Sequence, residues 1–166
     1  MIRVRIGRPA LRSGLASGLP AAAIAWLLFL AVGGVHGMVH AGTVLPMAVF
    51  VVEAVLYGYA GFRLRRTGHD AGTAMLGGAV AGWTTALLAA FPRNALLMLS
   101  TDYMRFLQAA PQHLGAGGLH MPWPPLTVLL ALVGALLAGS ALGAACGSIG
   151  ASFARADVAG RPAQLP

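Results

Sequence analysis

The chain has 166 residues, 58% of them hydrophobic and 9% charged, with a mean hydropathy of +0.77. A soluble domain carries roughly a quarter charged residues, so a water-facing globular surface is excluded. Disorder is excluded as well, because disordered chains are poor in apolar residues and rich in charge. The composition predicts an all-α, polytopic integral membrane protein. The net charge is +7 and every basic residue is arginine. Because these arginines sit in short groups between apolar stretches, they read as topology determinants beside anionic headgroups. The lipid bilayer is therefore an expected partner, and nucleic acid is not. Cys146 is the only cysteine, so no intrachain disulfide forms.

In chain order, an arginine-rich start (Arg3, Arg5, Arg8, Arg12) is followed by no charged residue until Glu53. About 20 mostly apolar residues are needed to span a bilayer as a helix. Four segments meet that demand, at about 20–41, 43–62, 72–91 and 126–151, and together they predict a Gly/Ala-rich bundle of four transmembrane helices. The first two are separated only around Ala41-Gly42-Thr43, which implies a tight helical hairpin. Residues 63–70 are polar, and Pro92 and Pro124-Pro125 mark the other breaks, since proline suits a helix start better than its interior. The first segment also resembles a signal peptide, with an apolar core near 21–35 and Val39-His40-Ala41 as a cleavage site. Its near-spanning length favours a retained helix.

Segment 94–110 differs from the spans. Thr101, Arg105 and Gln108 form one polar stripe on an apolar background, which predicts a short amphipathic helix on the outer side, with an extension of the third span into water as the alternative. Residues 111–125 read as a Pro/Gly-rich loop with Trp123 as an interface anchor. With four spans, nine arginines lie on one side, and only Arg93 and Arg105 lie on the other. The positive-inside rule then places both termini in the cytoplasm, with the chain in the inner membrane of a bacterium.

Small residues mark close packing between helices in lipid. The fourth span carries Gly139, Gly143 and Gly147, with Ser140, Ala144 and Ser148 as a second row. The third has Gly78 and Gly82, and the first has Gly33 and Gly37. The first and third rows suit packing inside the chain. Two rows on one helix exceed the need of a single neighbour, so the fourth span is expected to meet another membrane subunit or a second copy as well.

Two polar groupings are candidates for chemistry. Glu53 is the only formally charged residue within a predicted span. An uncompensated mid-bilayer carboxylate costs roughly 2–3 kcal/mol or more, so such groups face protein or water and often mark ion or proton paths. Tyr57 lies one turn along the same face, and Thr84 and Thr85 of the third span are available as hydroxyl partners. The bland alternative is a protonated glutamic acid bonded across helices. The second grouping is histidine. His36 and His40 share a helix face at the outer end of the first span, and His113 and His120 lie in the outer loop. Together they form a candidate zinc or copper site, with haem or pH sensing as alternatives. The counter-reading is that these residues simply tolerate the interface.

No P-loop, dinucleotide fingerprint, CxxC, HExxH or GxSxG occurs, so no enzyme is expected. The leading functional expectation is a non-enzymatic accessory or assembly subunit of a larger inner-membrane complex. The alternatives are a small oligomeric proton or ion channel or carrier using Glu53, and an outer-face metal- or haem-binding protein.

Overall fold

A computed structural model describes residues 7–34, 36–37, 44–101 and 124–159. Among them every regular element is helical. The elements are α1 (Arg8–Ala31), α2 (Val44–Arg66), α3 (Ala71–Thr85), a π-helical turn (Ala86–Ala90), α4 (Phe91–Leu99) and α5 (Pro124–Ala159). Four stretches are long and apolar enough to cross a membrane: Arg8–Ala31, Met47–Arg66, Ala71–Leu97 and Leu132–Ala154.

α1 starts where extended Gly7 caps it and a proline occupies its first turn. It ends at Ala31 because Gly33 and Gly34 adopt φ of +91° and +64°, a left-handed backbone that stops a helix and suits glycine. The first span is therefore not 20–41 but lies closer to the N-terminus, with Arg8 and Arg12 in its opening turns and exposed. Gly33 and Gly37 are accordingly not a helix-packing row. Gly33 forms the turn, and a Cβ on Gly37 would collide with the nearby Val32 carbonyl. The expected hairpin at Ala41-Gly42-Thr43 lies outside the described residues.

α2 closes with Gly68 at φ +86°. The His69 amide bonds the Leu64 carbonyl at 3.1 Å and the Gly68 amide bonds that of Arg65 at 3.1 Å, a pairing that satisfies the last carbonyls of the helix. Asp70 then caps α3 by accepting from the Thr73 amide at 2.8 Å.

Pro92 does not break the third span. Helix continues from Ala71 through the π turn to Leu99, so residues 94–99 of the predicted outer helix 94–110 extend this span, which ends at extended Ser100. Positions 102–110 lie outside the described residues. A proline cannot donate to the carbonyl four residues earlier, here that of Leu88. The indole N–H of Trp26 on α1 donates to that carbonyl at 2.7 Å. The fourth helix, Pro124–Ala159, is longer at both ends than the expected 126–151.

The helices run in alternating directions. α1 lies against α2 and α3, α2 and α3 lie against each other, and α5 packs on α2 and α3 away from α1. Near the arginine-rich end, Leu64, Ala74 and Ala151 meet; midway, Ala21, Tyr57 and Ala81 meet; at the opposite end Ala22, Ala25, Val49 and Ala89 meet. Seven of these ten are alanine, so backbones approach closely. A Cβ on Gly18 of α1 would stand 2.7 Å from the Ala81 carbonyl oxygen, and one on Gly14 would stand 2.8 Å from that of Gly77. On α5, Gly139 faces Gly82, Gly143 faces Gly78, and Gly147 faces Ala74 and Gly61, while Gly150 meets Gly58. Gly139, Gly143, Gly147 and Gly150 are thus occupied by α2 and α3 of the same chain. The flanking hydroxyls turn back on their own helix, Ser140 to the Leu136 carbonyl and Ser148 to that of Ala145.

Candidate functional site

The polar site is built on α2, α3 with its π turn, α4 and α5. Glu53 and Tyr57 lie one turn apart on α2, so both side chains leave the same face. That face meets Thr85 at the end of α3. A partly open cavity of about 290 Å³ joins Glu53, Tyr57, Thr85 and Asn94 with small residues such as Gly82 and Gly139. The small side chains create the space: Ala86, Ala90, Ala135 and Ala138 line it where larger residues would fill it.

Two hydroxyls lie inward of the carboxylate on the same side of the bundle. Tyr57, almost fully buried, pairs with the Thr85 hydroxyl. The Thr85 Oγ1 in turn reaches the Ala81 carbonyl at 3.0 Å and the Gly18 carbonyl of α1 at 3.2 Å. Beside Tyr57, toward the arginine-rich end, Ala21, Ala81 and Cys146 pack against it. Glu53 lies closer to Val44 than to Arg66, so the cavity belongs to the end remote from the arginine groups.

Arg93 adds a charge that sequence reasoning did not bring here. Its guanidinium lies within electrostatic range of the Glu53 carboxylate. Its Nε is buried without a hydrogen-bond partner among the described residues. The cavity thus gathers a carboxylate, an amide and two hydroxyls, with the Arg93 guanidinium close enough to act electrostatically on the carboxylate. Such a set can relay a proton or hold ordered water, since each hydroxyl both donates and accepts.

Of the residues expected here, Glu53, Tyr57 and Thr85 come together. Thr84 does not join them: its Oγ1 bonds the Val80 carbonyl at 2.8 Å and its Cβ faces Gly18 of α1. Adjacent helical positions point about 100° apart, so one threonine of the pair had to face elsewhere. Arg93 and Asn94 were missed because Pro92 read as a break. A helix continued through it sets Ala86, Ala90 and Asn94 in one four-residue row.

The histidine site cannot be assembled from the described residues. His36 is exposed, and His40, His113 and His120 lie outside them. Among the described residues no group of three metal-ligating side chains forms. Comparison with protein-family models, curated proteins and solved structures gave no match.

Proposed function

We propose that the chain is an integral protein of the bacterial inner membrane with both termini cytoplasmic, and that it handles protons at Glu53. The cavity joining Glu53, Tyr57 and Thr85 carries this reading. A carboxylate inside a span is costly unless it faces water or protein partners, and here it faces a cavity that it shares with two hydroxyls. The Arg93 guanidinium repels a second cation at short range, which favours the proton over a metal ion as the species handled. The cavity is then an outer-side vestibule that ends at Tyr57. The alternation of the four spans and the arginines gathered at one end support the orientation.

Proteoliposomes with an imposed potential and a pH-sensitive dye in the lumen test the proposal. Wild type is expected to pass protons, and Glu53→Gln, which keeps shape without titrating, to abolish the flux. A folded Gln variant with full flux overturns the proposal.

The second reading is an accessory subunit of a larger complex, and it is favoured by the exposed apolar face of α5, where Leu130, Val133 and Leu137 point away from the other helices. Its support no longer includes the glycine rows. Co-purification of a stoichiometric second membrane protein in mild detergent, with no flux from the isolated chain, selects this reading.

A further inference from the structure

A second concavity lies on the outside of the molecule, between α2 and α5 on the half nearer the arginine-rich end. It is an open groove of about 490 Å³ with an almost wholly apolar lining. Its floor is formed where Gly58 and Gly150 bring the two backbones together, and its walls are Val55 and Phe62 on one side and Ile149 and Phe153 on the other. From Val55 to Phe62 the helix rises about 10 Å at 1.5 Å per residue. The groove therefore runs along the helix axes rather than across them. Its apolar end lies level with the middle of α2. At its other end the charge changes abruptly: Arg63, Arg65 and Arg66 form the last turn of α2. The guanidinium of Arg66 lies over the Phe62 ring, 5.6 Å from its centroid.

We propose that this groove binds one anionic phospholipid, with an acyl chain along Val55–Phe62 and the phosphate at Arg66 and Arg63. Three observations on the two helices agree with a lipid of the arginine-side leaflet. The channel is apolar along its length, its size suits a single hydrocarbon chain, and its cationic mouth sits at the level where headgroups begin. Basic residues at the cytoplasmic end of spanning helices attract anionic headgroups electrostatically. Here the Phe62 ring holds Arg66 over the groove instead of leaving it free in solvent. The proposal rests on the membrane placement above and is independent of the chemistry at Glu53.

Native mass spectrometry of the full chain, released from detergent micelles containing equal phosphatidylglycerol and phosphatidylcholine of matched chains, provides the test. The expected result is one retained phosphatidylglycerol per chain, preferred over phosphatidylcholine. Arg66→Gln should cut that preference by about fivefold, the contribution of one arginine near an anionic headgroup. Val55→Trp, which lays a ring into the groove, should lower retention of both lipids; if that variant does not fold, Ile149→Trp fills the same space from α5. Equal retention of the two lipids, a preference unchanged by Arg66→Gln, or a dimer that excludes lipid each overturns the lipid site. A chain that stays soluble without detergent overturns the membrane placement itself, so the two failures are distinguishable.

Discussion

At Leu88 a carbonyl faces a proline that has no hydrogen to offer, and Trp26 supplies one from another helix. An interhelical hydrogen bond of this kind is worth about 1 kcal/mol. Trp26→Phe should lower the thermal midpoint in detergent accordingly. Pro92→Ala restores the donor within the helix, so the same Trp26→Phe change made in that background should cost much less. Additive losses in the double-mutant cycle would show that the indole bond does not stand in for the missing amide. Asp70 invites a different test. The Thr73 hydroxyl, together with the Thr73 amide and the nearby Arg65, holds the Asp70 carboxyl below the usual carboxylate range. A depressed folded-state value means the stabilisation is present above the unfolded carboxylate's pKa and is lost as pH falls through the folded one. Asp70→Ala should therefore lower the thermal midpoint at neutral pH, and the gap to wild type should close in acid. A gap constant down to low pH would rule out a charge-dependent cap.

Among helices, close approach through glycine separates positions that composition treats alike. A Cβ on Gly143 meets the Gly78 backbone, whereas one on Gly134 meets nothing within 4 Å. Gly143→Leu is expected to destabilise by about 1–3 kcal/mol, the usual cost of forcing atoms into a packed contact, and Gly134→Leu to be nearly neutral. Equal thermal midpoints for the two variants would dismiss this contact. The rows on α3 and α5 were legible because their spacing is regular and their surroundings apolar. The row on α1 (Ser13, Gly14, Ser17, Gly18) was not, since the span was placed at about 20–41, beyond it, with Arg8 and Arg12 left outside. An arginine near a helix end keeps its charge in water while its stem lies along the helix, so it sets no boundary. The left-handed turn at Gly33 does, yet a glycine in an apolar run looks the same whether it packs or turns. The site was half legible for a related reason. Glu53, Tyr57 and Thr85 follow from helical spacing, but Arg93 enters only through a helix that continues past its proline, and nothing in one sequence announces the π turn or the Trp26 donor.

On the scale of the whole molecule, the alternating helices gather the arginine groups of α1, the α2–α3 turn and the end of α5, and leave Arg93 at the other end. Reporter fusions after Thr67 and after Gly117 should therefore report opposite compartments, with the first cytoplasmic. Matching locations would reject the proposed four-span topology.

The position of α5, touching α2 and α3 but set away from α1, has a consequence for how the chain is made. Synthesis proceeds from the N-terminus, so α1, α2 and α3 can complete all their mutual contacts while α5 is still in the ribosome. During that interval the Gly78 and Gly82 backbones, which α5 covers in the finished fold, stay uncovered. Release of Gly139 to Gly147 covers that strip in a single docking step. α5 thus arrives late, on a surface that α1, α2 and α3 have already formed.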